Sequence, residues 1–180
     1  MKEKIQEAYA LYTRQIDAIF QEISTQSEDR LNHRTNSGWS ALQTVHHLLL
    51  VEEGSLRYIK KKMSHDPILN RVGSGARFRS LLLWISLQSP FKFKAPKTVS
   101  EEHFPERSSL PELRARWQDV QQSWQDYLEQ MPSNWLDKAI YRHPRAGLLG
   151  WIQVIDFFRH HTARHAKQIR RAIASANEIM

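Results

Sequence analysis

Residues 151–173 read WIQVIDFFRHHTARHAKQIRRAI. Trp151, Val154, Ile155, Phe158, Thr162, Ile169, Ala172 and Ile173 recur at the spacing of one helical face. Arg159, Arg164, Lys167 and Arg171 fall mostly outside that stripe. His161 and His165 fall within or beside it, at i and i+4, one turn apart on the same face. Imidazoles so placed need partners: either they are hydrogen-bonded in a core or they coordinate something. Two neutral imidazoles at this spacing can hold one divalent cation from the same side. A third candidate, His47, lies far upstream in WSALQTVHHLLLVEE, residues 39–53. Three histidines from two helices would leave coordination positions open, which catalysis needs.

The same periodicity marks three further long helices. About Lys4 to Ile23, the apolar positions are Ile5, Ala8, Leu11, Tyr12, Ile16, Ile19 and Phe20. Ser40 starts the second helix, with Gln43 three residues on as a capping box, and the helix runs to about Lys62. Ser109 starts the third, with Pro111 in its first turn and Glu112 as the matching acid, and it runs to about Gln130. The last spans about Leu149 to Asn177. STQSEDRLNHRTNSG, residues 24–38, reads as loop, and RFRSLLLWISLQ, residues 77–88, as a short helix across the bundle. The proline-punctuated stretch 89–109 reads as irregular. No strand is expected. Long helices with one apolar stripe each must bury those stripes against one another, so the fold class is all-α, a four-helix bundle. A single domain over residues 1–180 is the simplest organisation.

Composition narrows the function classes. Cysteine is absent, which excludes disulfides, thiolate ligands and a cysteine nucleophile. The opening stretch MKEKIQEAYALYTRQ is polar and lacks the apolar core of a signal peptide, and no apolar run is long enough to span a bilayer. A cytoplasmic location is expected, with no membrane partner. The net charge is +7, but the basic residues are scattered and form no nucleic-acid motif. The balance suits an anionic small molecule rather than nucleic acid.

Neighbouring polar residues are bystanders in this reading. His46 and His160 precede proposed ligands by one residue, about 100° around the helix, and are packing or surface residues. His33, His65, His103 and His143 fall in loops and are expected to be solvated. Gln43 is one turn from His47, but its capping box accounts for it. Glu52 and Glu53 read as a solvated face, with a supporting or general-base role for Glu52 as the lesser alternative.

GWSALQTVHHLLLVEE, residues 38–53, and HPRAGLLGWIQVIDFFRHHTARHAKQI, residues 143–169, together resemble the DinB superfamily. The first is similar to its Trp-Ser, helical run and His-Leu followed by an acid. The second is similar to its His-Pro turn, Gly, aromatic-rich helix and His-x-x-x-His-x-x-Gln-Ile. The resemblance extends to the YfiT-like metal-dependent hydrolases and the bacillithiol-transferase branch. It implies a DinB-type four-helix bundle, a homodimer, and one nickel or zinc ion per chain on His47, His161 and His165. Gln168 and Ile169 match the residues after the last ligand. Gly150 departs from the Ser or Thr often found there, and Gly is a weaker N-cap. The implied activity is transfer of a low-molecular-weight thiol, or hydrolysis. The alternative is a non-catalytic, stress-related bundle that binds a small ligand or metal. Residues 64–107 match nothing in the family pattern and are expected to shape the substrate pocket.

Overall fold

The computed structural model describes residues 1–34, 38–88 and 99–177 and is mostly helical. In chain order the elements are α1 (Lys2–Ile23), α2 (Glu28–Asn32), α3 (Ala41–Met63), α4 (Ser74–Gln88), α5 (Leu110–Gln130), β1 (Tyr141–His143), β2 (Gly147–Leu149) and α6 (Trp151–Asn177). Single 3-10 turns sit at Glu101–His103 and Ser133–Trp135. The four long helices are α1, α3, α5 and α6, each within about two residues of its expected ends. Among the described residues no helix is long and apolar enough to cross a membrane.

The packing order follows from which faces are apolar. α6 packs on α1 and α3, and α5 packs on the same two helices, so α1 and α3 face each other across one diagonal. The core between them is aromatic: Tyr9, Tyr12, Trp117, Trp124, Trp151 and Phe158 are among its largest enclosed side chains. Burial of each such ring contributes roughly 1.5–3 kcal/mol, which is why these four stripes determine the architecture. The bidentate Arg170–Glu22 pair ties the outer faces of α6 and α1 at 2.7 Å.

Three local readings are corrected. The stretch 24–38 is not all loop: Ser27 caps α2 through its hydroxyl, and Leu31 is fully buried (residues 35–37 lie outside the described residues). A hairpin occurs where no strand was expected, pairing Tyr141 with Leu149 and His143 with Gly147. Gly147 has φ +68°, the left-handed turn conformation that a side chain resists, so its place in HPRAG is dictated by the turn. Ser109 stands at the N-cap of α5 but makes no side-chain cap hydrogen bond. The free N–H of Leu110 instead donates to Glu28 Oε1 at 3.0 Å, so α2 caps α5 from outside the helix.

α4 packs against α6 and β2. The segment before it is pinned by backbone bonds, Val72 N to Asp137 O at 2.8 Å and Ala139 N to Asn70 O at 2.9 Å. That pinning explains Gly150. A Cβ there would lie 2.5 Å from Val72 Cγ2, so the Ser or Thr of the family pattern does not fit. The helix start is served instead by Gln153, whose Oε1 accepts from Gly150 N at 3.2 Å. Of the stretch expected to be irregular, residues 89–98 lie outside the described residues.

Candidate metal centre

The Ser40 capping box fixes the start of α3. Gln43 N donates to Ser40 Oγ at 3.1 Å, and Ser40 N donates to Gln43 Oε1 at 3.0 Å. Gln43 is thereby committed to the cap, as the sequence indicates. His47 follows one turn later, 4% exposed, on the face of α3 that meets α6. Its Nδ1–H donates to Val99 O at 2.8 Å, which leaves Nε2 with a bare lone pair. His165 is held in the same way: Nδ1–H donates to Gln168 Oε1 at 3.0 Å, one turn on, and Nε2 is left bare.

The three imidazoles meet at their Nε2 atoms. His161 Nε2 is 3.4 Å from His47 Nε2 and 3.1 Å from His165 Nε2. One ligand atom from each residue lies within 4.8 Å of the others. Nitrogens that share an ion at about 2.0–2.1 Å stand roughly 2.8–3.4 Å apart for angles between right and tetrahedral. The donor chemistry points the same way. A single proton on His161 Nε2 can satisfy only one of its two bare neighbours, and the other lone pair has no donor among the described groups. A cation satisfies all three.

Electrostatics keep the three imidazoles neutral. Burial, and then the neighbouring His47, push His165 down to about 3. Burial, then His165 and His47, hold His161 well below its ordinary value. His47 is lowered by burial against the opposing hydrogen bond to Val99. At neutral pH all three present lone pairs rather than charges.

Aromatic rings wall the cluster. Trp39 lies 5.0 Å from the His47 ring, and Phe104 meets Trp39 edge-on at 5.1 Å. Phe157 stacks on His161 at 5.1 Å. Phe157 is four residues before His161, so its position on the same face was readable from spacing and went unused. His143, expected to be solvated, is 8% exposed and lies 4.6 Å from Phe157. Its Nδ1 accepts from Arg145 N and Ala146 N at 3.2 and 3.1 Å, because the HPRAG turn folds back on its own first side chain. Those two donors place its proton on Nε2, and burial lowers it to about 4. His46 packs against Phe104 and His160 against Trp84, and neither joins the cluster. His65 and His103 are exposed as expected, and His33 is half-buried.

Glu52 also departs from the sequence expectation. It is not on a solvated face: its exposure is 0%, and it accepts from Tyr9 Oη at 2.6 Å and Tyr12 Oη at 2.9 Å. Burial raises it to about 7, against the lowering effect of those hydroxyl donors. Trp117 Nε1 and Thr162 Oγ1 stand close enough to bear on Glu52 and Tyr12, yet neither completes a hydrogen bond of normal geometry. Glu53 is half-buried and paired with Arg116 at 2.6 Å.

The DinB superfamily's sequence model matches residues 11–169, which span both histidine segments and reach into every long helix. The chain belongs to the DinB superfamily. Comparison with curated proteins found no match, and neither did comparison with solved structures. In this DinB chain the histidines that carried the resemblance are the ones the bundle brings together. Membership and a histidine group able to hold a metal fit a metal-dependent enzyme.

Proposed function

We propose that His47, His161 and His165 hold one divalent transition metal, nickel or zinc. We further propose that the chain uses it to transfer a small thiol to an electrophile or to hydrolyse a small substrate. The observation that supports this most directly is the convergence of three neutral Nε2 atoms with no proton set able to satisfy them. Such a metal supplies Lewis acidity that lowers the pKa of a thiol or water reaching it.

The chain's own residues set the conditions for that chemistry. Val99 O and Gln168 Oε1 fix the ring orientation of His47 and His165. Trp39 and Phe157 limit water on two sides of the cluster. With no cysteine in the chain, any thiol arrives as a cosubstrate. Arg164 adds positive charge that acts on both His161 and His165, which suits an anionic thiol or carboxylate.

Elemental analysis of protein purified without a His-tag or chelator tests the first half, with about one ion per chain expected. Assays of the metal-loaded protein with thiols plus electrophiles, and with simple amides and esters, test the second. Turnover absent throughout, or surviving His161→Ala unchanged, replaces this reading with the non-catalytic binding bundle.

A further inference from the structure

β1 carries two hydrogen-bond donors that the fold does not use. Tyr141 and His143 stand at i and i+2, on the inward face of the strand, with Arg142 exposed between them. The backbone N–H groups of Arg145 and Ala146 occupy His143 Nδ1, so the ring proton is on Nε2. Ser55 Oγ donates to Tyr141 Oη at 3.1 Å, so the tyrosine's own proton is not spent on that bond. Among the described residues neither proton has an acceptor. His143 is 8% exposed, so water does little for its Nε2–H. A buried donor left unused costs about 1–3 kcal/mol, and a ligand oxygen removes that cost.

These donors adjoin the histidine cluster. Phe157 lies 4.6 Å from the His143 ring and 5.1 Å from the His161 ring, so one aromatic ring links the two histidines. Tyr58 meets Tyr141 edge-on at 5.4 Å. On α3, Gly54 and Tyr58 follow His47 at i+7 and i+11, which returns both to its face. Gly54 is half-buried, yet a Cβ there would meet nothing within 4 Å. Open space therefore lies along α3 between the cluster and the Tyr58–Tyr141 contact, about 10 Å from His47 by helical rise.

The chemistry selects an anionic oxygen. Burial holds Tyr141 above its ordinary value and lowers His143 to about 4, so both are neutral donors at neutral pH. The positive charge of Arg145 also acts on His143. Two donors beside a cation suit a carboxylate, which only accepts. We propose that Tyr141 Oη and His143 Nε2 bind the carboxylate of a small substrate whose other end reaches His47, His161 and His165. The substrate class is then a carboxylic acid bearing a thiol or an ester, with about five carbons between its ends to match the helical rise from His47 to Gly54. That the ligand is a substrate rests on the proposed metal chemistry; its binding by the two donors does not.

Nitrogen NMR of the histidine rings tests it, with hexanoate as the probe and the full chain both metal-free and zinc-loaded. Hexanoate should shift the His143 Nε2 signal saturably, and hexanol should not. Tyr141→Phe and His143→Asn should each weaken hexanoate binding roughly tenfold. Asn keeps an acceptor for the N–H groups of the turn, so that variant removes the donor and spares the fold. Gly54→Leu fills the open space without a Cβ clash, and should block binding while the thermal midpoint stays at or above that of wild type. No shift, an equal shift with hexanol, or binding unchanged in any one of the three variants overturns the proposal. If His143→Asn does not fold, Tyr141→Phe decides, because it removes a single oxygen. A chain that takes up no metal yet shows the shift sinks the metal reading and leaves this subsite standing; metal uptake without the shift does the reverse.

Discussion

Tyr9 of α1 donates its hydroxyl to Glu52 of α3 at 2.6 Å, across the diagonal of the bundle rather than between neighbouring helices. The carboxyl sits where the four helices face one another, with Tyr12 as its second donor at 2.9 Å. No salt bridge among the described residues involves Glu52; it is held by hydroxyls alone.

Glu52 should therefore make stability fall as pH rises. Its folded value, about 7, is above the ordinary carboxyl value, so the folded state holds the proton more tightly. The stabilisation is complete below the ordinary value and is lost as pH rises to about 7, a change on the order of 3 kcal/mol. The buried histidines act oppositely. Their folded values are lowered, so their stabilisation is complete above the ordinary histidine value and is lost as pH falls toward about 4 for His143 and about 3 for His165. Urea melts of wild type and Glu52→Gln across this range isolate the carboxyl: the variant should gain relative stability as pH rises to about 7 and hold it beyond. A pH-independent difference would contradict this.

His47→Ala should abolish metal binding, while His46→Ala should leave it largely intact, and His165→Ala should contrast with His160→Ala in the same way. Elemental analysis or a cobalt absorption spectrum reads this directly. Equal losses within either pair would contradict the geometry, in which only His47, His161 and His165 converge.

Gln168→Leu should weaken metal affinity by roughly 10–100-fold, because His165 loses the acceptor that fixes its ring. Gln168→Glu, which keeps an acceptor, should lose less. Competition with a chelator measures both variants.

Gly150→Ser should destabilise the protein despite adding a better N-cap residue. The new Cβ meets Val72 Cγ2 at 2.5 Å, and overpacking of this kind costs about 1–3 kcal/mol. Val72→Ala in the same chain should recover most of the loss. Thermal melts of the single and double variants close the cycle.

The four long helices were legible because each carries a single apolar stripe of many residues, and the convergence of His47, His161 and His165 was partly legible because two of them share a stripe. Glu52 was not. Its helical angle from His47 is right, but turning away from His47 meant facing the α1 diagonal, and only the arrangement of helices says what lies there. His143 was missed because a loop position was equated with solvent, whereas the HPRAG turn folds over its own histidine. The cap of α5 was misassigned to Ser109 because the real acceptor, Glu28, is remote in sequence. Trp39 stands in the quoted motif, but its place beside His47 depends on the loop entering α3.

His47 and His161 are 114 residues apart, and the contact between them joins an early helix to the last one. During synthesis that contact cannot form until α6 has emerged, so the cluster is assembled only after α3 has waited for α6. Any ion that binds these nitrogens and not the open chain therefore acts as a latch on completed folding. At a hundred times its dissociation constant, such an ion deepens the folded basin by about 2.7 kcal/mol. Metal supply would then set the lifetime of the folded chain as well as its chemistry, and a chelator would shorten the one as it removes the other.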